Sequence, residues 1–173
     1  MHYTQTISSP LGNILLSADE VGLTGLWFDG GRYYADTLPE EHVERETPIL
    51  MDTKRWLDVY FTGREPDFTP LLHPTGSSFR QTVWQLLLEI PYGQTTTYGA
   101  LAKRLNAGRM SAQAVGGAVG HNPISIIVPC HRVVGANGSL TGYAGGLDRK
   151  IRLLEIEQTD MHGLFRPKKG TAI

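Results

Sequence analysis

Apolar residues in the first third of the chain fall in short runs. Tyr3-Thr4-Gln5-Thr6-Ile7 and Asn13-Ile14-Leu15-Leu16-Ser17 predict two strands joined by a turn at Pro10-Leu11-Gly12. Gly22 to Phe28, with Leu23, Leu26, Trp27 and Phe28, predicts a third, ended by Gly30-Gly31. Glu40 to Thr47 is acidic and polar, the pattern of an exposed connection. The period then changes. Ile49, Leu50, Trp56, Leu57, Tyr60 and Phe61 are spaced as on one helix, with Gly63 as its stop. Trp27, Trp56 and Tyr60 read as core.

Prolines and glycines at Gly63, Pro66, Pro70, Pro74 and Gly76 mark residues 62–77 as a linker. Beyond it the pattern is mostly helical. Ser78 and Gln81 have capping-box spacing ahead of Val83, Trp84, Leu86, Leu87 and Leu88, and Pro91-Tyr92-Gly93 ends that helix. Tyr98 to Leu105 predicts a short helix. A turn at Asn106-Ala107-Gly108-Arg109 separates it from a second, Ser111 to Gly120, built on Ala112, Ala114, Gly116, Gly117 and Ala118. Helix, glycine-bearing turn, helix is the helix-turn-helix pattern. Adjacent glycines cost a helix roughly 1 kcal/mol each. They fit either close helix packing or close approach to something large. Ile124 to Val128 is a β-branched run that predicts a buried strand ended by Pro129, with Cys130 where the chain leaves the core. A glycine-rich loop, Thr141 to Gly146, precedes a last helix from Leu147 to Gln158. The tail from Gly163 onward reads as flexible.

The fold class is therefore α+β, with a mainly β N-terminal domain and linker at 1–75, a mainly helical domain at 76–160 and a flexible tail at 161–173. Charge follows this division. Residues 1–75 carry five Lys and Arg against twelve Asp and Glu, a net of −7, whereas 76–173 carry eleven against five, a net of +6. The asymmetry points to a polyanion facing the second unit, although the whole chain is only −1. No apolar run approaches the roughly 20 residues of a membrane helix, and the N-terminus has no signal-peptide pattern. A single cysteine excludes an internal disulfide and points to a reducing compartment, the cytoplasm. His2, His42, His73, His121, His131 and His162 give no zinc-ligand spacing with it, and no metal or cofactor is expected. The glycine loop is not a Walker loop, because no Gly-Lys-Ser/Thr follows.

Cys130 is the candidate nucleophile. Its pKa must fall from about 8.5, or a base must take the proton. His131 is the neighbouring base. On a strand the two side chains would point to opposite faces, so a water or an irregular turn would have to connect them. Glu155 and Glu157 are the carboxylates available to orient the imidazole, and periodicity does not choose between them. A lone buried cysteine is more often an inert hydrophobe. The proline before, the His-Arg after and the nearby glycines set this one apart.

Pro129-Cys130-His131-Arg132-Val133, preceded by Asn122-Pro123 and followed by Tyr143-Ala144-Gly145-Gly146, resembles the O6-alkylguanine-DNA alkyltransferases. The likeness is close over about Ser78 to Glu157 and holds in layout over 1–75. It implies a ribonuclease H-like N-terminal domain and a winged-helix-like second domain. It implies a monomer acting on double-stranded DNA, with cooperative binding left open. The alkyl group of O6-alkylguanine, and also of O4-alkylthymine, would pass irreversibly to Cys130 after the nucleotide is flipped out. By the same resemblance His131 is the water-mediated base, Glu157 holds it, and Asn122 orders the turn before the cysteine. Tyr98 would rotate and donate to the base. The carbonyls of Cys130 and Val133 would accept from its amine, the Ala144 N–H would face O6, and Tyr143 and Val119 would wall the pocket. Ala112, Gln113, Ala114, Gly116 and Gly117 would enter the minor groove. Gln113 stands where the family usually has an arginine that fills the space left by the base, a role Arg109 could partly share. An alkyltransferase-like lesion binder without transfer is the alternative, and Cys130 argues against it. A cysteine hydrolase lacks a separate histidine motif.

Overall fold

A computed structural model describes residues 1–105 and 112–167. The N-terminal half is a four-stranded sheet covered by one helix. Strands β1 (His2–Ile7), β2 (Ile14–Ala18) and β3 (Leu23–Phe28) form an antiparallel meander, and β4 (His42–Glu44) pairs parallel to β1, giving the order β3-β2-β1-β4. The acidic stretch expected to be a plain connection therefore supplies a short edge strand. All three of its residues are exposed, which is why its pattern carries no strand period. Helix α1 (Pro48–Tyr60) is capped by Thr47, whose Oγ1 accepts from Leu50 N, and Pro48 occupies the first turn, where no N–H is needed. It buries Leu50, Thr53, Trp56, Leu57 and Tyr60 toward the sheet.

The linker does not hang free. Leu23 N donates to Leu71 O and His73 N to Leu23 O, both at 2.7 Å, so the segment lies along the open edge of β3. Helix α2 (Ser78–Leu87) starts one residue earlier than its capping pattern suggests: Ser77 Oγ is the cap, and Gln81 Nε2 instead donates to Pro74 O at 2.6 Å. Strand β5 (Thr96–Thr97) leads into α3 (Tyr98–Arg104), capped by Thr97, and α4 (Ala112–Gly120) follows. Arg109 and the rest of the turn, 106–111, lie outside the described residues. Strand β6 (Val133–Val134) pairs parallel to β5, and α5 (Leu147–Ile156) closes the fold.

The predicted strand at Ile124 to Val128 is not one. The run is buried as expected, but it is a tight turn. Asn122 makes the difference. Its Nδ2 donates to Ile124 O (3.2 Å) and Val128 O (2.8 Å), and its Oδ1 accepts from Ile124 N (3.0 Å). One side chain thus satisfies buried backbone groups that a neighbouring strand would otherwise have to meet. Ile126 sits at φ 71°, a conformation costly for a β-branched residue. The turn docks on the sheet edge through Leu26 N to Pro123 O (2.8 Å) and Ser125 N to Leu26 O (3.0 Å). Apolar residues of both halves consequently share one core, with Leu26, Leu57 and Tyr60 packed together with Val83, Val119, Ile124 and Leu153.

The tail is tied down further than its composition suggests. Leu140 N donates to Phe165 O (2.8 Å), Phe165 N to Gly138 O (3.1 Å), and Arg166 pairs with Asp148 (2.7 Å). Residues 168–173 lie outside the described residues.

Candidate active site

Pro129 adopts φ −83°, ψ 63°, an inverse γ-turn in which Cys130 N donates to Val128 O. Cys130–Arg132 then form one 3₁₀ turn. Successive side chains on such a turn are about 120° apart rather than opposed, which removes the objection that a strand would separate Cys130 from His131. Cys130 itself is only 5% exposed, so the expectation of an open thiol at a strand end is corrected: the sulfur lies within the core. Burial raises its pKa. The Asn122 side chain, the Lys150 charge and the N–H groups of Cys130 and His131 oppose this without reversing it. The thiol is therefore protonated at rest, and a base must act as it reacts.

His131 is fully buried and lies with Nε2 2.6 Å from Glu157 Oε2. Glu157 is just past the end of α5. Burial pushes its carboxyl up, but the hydrogen bonds and charges of His131 and Arg132 outweigh that and hold it well below the usual carboxylate range. An ionised carboxylate only accepts, so Nε2 carries the imidazole proton and Nδ1 presents a lone pair. Nδ1 is buried and meets no partner among the described residues. Burial also lowers the His131 pKa, with Glu157 opposing, which keeps the ring neutral and basic near pH 7. Glu155, the other carboxylate the sequence offers, is exposed and 3.8 Å from Arg152.

Glu157 has three further donor groups that sequence reasoning did not find. Arg132 Nε reaches Oε1 at 2.8 Å and Nη2 reaches Oε2 at 3.1 Å. Gly93 N reaches Oε1 at 3.0 Å, and Tyr60 Oη donates to Oε2 at 2.6 Å. On the other side, Lys150 is fully buried and donates to Val133 O (2.6 Å) and Thr141 O (2.8 Å). Burial brings its pKa down to about 8. The Val133 carbonyl, expected to meet a substrate amine, thus already holds an ammonium. Lys150 was legible in principle, since it interrupts the apolar stripe of Leu147, Leu153 and Leu154 on α5.

The glycine loop closes the site. Tyr143 is buried with its ring nearly perpendicular to that of His131, centroids 6.4 Å apart. Its Oη is buried, has Ser125 beside it and makes no hydrogen bond of good geometry. Tyr98, at the start of α3, donates to Thr141 O at 3.3 Å. Ala144 O accepts from Arg32 N (2.7 Å), a contact from the N-terminal half. A side chain at Gly145 would come within 2.6 Å of the Tyr143 ring, so only glycine fits there. Val119 is buried in the core.

Helix α4 turns Ala112, Gln113 and Ala114 to solvent, with Gly116 and Gly117 half-buried. A Cβ at Gly117 would meet nothing within 4 Å, and one at Gly116 would only touch the Tyr98 ring at 3.8 Å. Packing among the described residues therefore does not require these glycines.

Comparison with known proteins identifies the family and the fold. The family described as 6-O-methylguanine DNA methyltransferase matches by its ribonuclease-like domain over residues 1–73 and by its DNA binding domain over residues 78–159. A methylated-DNA–protein-cysteine methyltransferase of Methanosarcina acetivorans is 47% identical over 155 residues, covering 90% of this chain and 97% of that protein. The Haemophilus influenzae protein of that name is 41% identical, covering 91% and 87%. The crystal structure of Mycobacterium tuberculosis OGT in complex with DNA superposes with a TM-score of 0.80 at 42% identity, covering 90% of this chain and 92% of that one. This chain belongs to the 6-O-methylguanine DNA methyltransferase family.

Proposed function

We propose that this protein repairs DNA by moving the alkyl group of O6-alkylguanine onto Cys130, once per molecule. The observation that carries the reading is a buried thiol beside a neutral imidazole whose Nδ1 lone pair has no partner among the described residues, held from behind by Glu157. The thiol proton passes to His131 through a bridging water as Sγ attacks the alkyl carbon. The S–C bond forms, the O6–C bond breaks, and its electron pair stays on the purine, which the Tyr98 hydroxyl stabilises by donation. His131 becomes an imidazolium facing the Glu157 carboxylate. The thioether has no leaving route, so the reaction stops after one event. A thymine alkylated at O4 is the proposed second substrate.

A target atom inside stacked bases cannot reach a core sulfur, so the nucleotide is extruded from duplex DNA. Helix α4 suits the minor groove, because its exposed face is of small residues and Gly116 and Gly117 leave room that the fold does not use. The net +6 of residues 76–173 favours the phosphates. Gln113 offers hydrogen bonds but no charge to the space left by the flipped base. No helix among the described residues is long and apolar enough to cross a membrane, and a monomer in the cytoplasm is the proposed setting.

Incubation with an oligonucleotide carrying O6-methylguanine should leave one methyl group on Cys130 by peptide mass spectrometry. Cys130→Ala should lose transfer completely while still binding the lesion duplex. Repeated turnover, or an unmodified cysteine after the lesion disappears, would overturn the proposal.

A further inference from the structure

Tyr60 lies at the end of α1, in the N-terminal half, 97 residues before Glu157. Its ring is fully buried, stacked on Trp56 at 5.2 Å and edge-on to Phe61 and Tyr92 at 5.5 and 6.2 Å. A phenylalanine would meet those contacts equally well. The hydroxyl adds nothing to apolar packing and would be costly to bury alone. It is spent on one atom, Glu157 Oε2, at 2.6 Å, the oxygen that also faces His131 Nε2 at 2.6 Å. Arg132 also neutralises the carboxylate, through Nε on Oε1 at 2.8 Å and a longer Nη2 contact on Oε2 at 3.1 Å.

We infer that Tyr60 is a positioning residue for the transfer reaction, setting through Glu157 Oε2 how strongly the carboxylate pulls on the His131 proton. The inference rests on the reading of Cys130 as alkyl acceptor. Three donors share Oε2: Tyr60 and His131 at 2.6 Å and Arg132 Nη2 at 3.1 Å. Each hydrogen bond that Tyr60 makes draws negative charge toward itself and weakens what Glu157 offers the imidazole. His131 is therefore kept from protonating too early, and its Nδ1 stays free to take the thiol proton. The phenol cannot itself take part in proton traffic, since burial and the adjacent Glu157 push its pKa far up and leave it a permanent donor. The other ionisable groups around the pair are Arg132, Lys150, Cys130, Tyr143 and Tyr92.

The test uses the full chain carrying Tyr60→Phe. Nuclear magnetic resonance titration of His131 should show its midpoint moved to higher pH, and single-turnover transfer should fall about threefold more on the acid limb than at pH 8. Leu57→Ala, which loosens the same helix without touching the hydroxyl, should lower thermal stability and leave the midpoint in place. A Tyr60→Phe protein that loses stability but titrates at His131 like wild type would make the hydroxyl merely structural and overturn the inference. Should Tyr60→Phe fail to fold, fluorotyrosine at position 60 provides a stronger donor, and the midpoint must then move to lower pH; an unmoved midpoint overturns the inference equally. If the wild-type protein left the lesion untouched, the Cys130 reading would fall, yet the His131 titration would still decide the role of Tyr60.

Discussion

His131 has two unlike sides. Behind Nε2 lies a carboxylate that accepts from Tyr60, Arg132, Gly93 and the imidazole itself. Around the thiol, buried polar atoms are left over: His131 Nδ1 and Tyr143 Oη both lack a well-formed hydrogen bond among the described residues. Unmet buried polar groups are costly, and a fold retains them where something else arrives to meet them. The saturated side fixes the imidazole tautomer, and the unsaturated side is where chemistry enters. One residue, His131, belongs to both, so disturbance of either side should be felt at the sulfur.

The largest effect should come from the saturated side. Glu157→Gln removes the charge opposite Arg132 and the acceptor that holds His131. We expect transfer to slow by about 10²-fold and unfolding stability to fall by about 3–5 kcal/mol, because a buried guanidinium loses its counter-charge. Stopped-flow transfer and urea melts measure the two. In the wild type the folded pKa of Glu157 lies below its unfolded value near 4.5, so this contribution is complete above that pH and is lost as pH falls beneath it. Urea melts across pH 3 to 6 should show the loss in wild type and little of it in Glu157→Gln.

Lys150→Met tests the thiol side and should do less. It orphans Val133 O and Thr141 O, a cost of about 1–3 kcal/mol, partly offset because a buried ammonium is no longer needed. Its signature is the pH trend. The folded pKa of about 8 lies below the unfolded 10.5, so in that window the unfolded chain binds more protons and stability rises with pH. The melting difference between wild type and Lys150→Met should therefore grow in favour of wild type from pH 8 to 10. A flat difference would show that burial does not lower the Lys150 pKa.

The smallest effect lies outside both sides. Gln113 is exposed on α4, so Gln113→Arg should leave stability unchanged and speed repair of duplex substrate by a few-fold through better support of extrusion. Equal rates and equal duplex affinity would remove Gln113 from the account.

Much of this was legible in the chain itself. Alternation and helical spacing locate β1 to β3, α1, α2 and α5, because those patterns report which face is buried, and burial is a local requirement. The Pro-Cys-His-Arg run and the glycine loop mark the reactive region. Exposed β4 escaped because nothing apolar marks an edge strand. The Ser77 cap was missed by one residue because Ser77 and Ser78 are equally good caps on paper.

What tertiary structure alone decided is who meets whom. The apolar run before Cys130 had to be buried, but whether it became a strand depended on Asn122 occupying its backbone groups and on an edge of β3 being near. Glu157 rather than Glu155 faces His131 because α5 ends with one carboxylate turned inward and the other in solvent. Tyr60 reads as a core aromatic, and only docking of the two halves gave its hydroxyl a carboxylate; the two carbonyls that hold Lys150 lie within the second half, on β6 and the glycine loop. Periodicity records that a side chain is hidden from water, whereas a hydrogen bond needs a partner at the right distance, and the hydroxyl that meets Glu157 comes from 97 residues away.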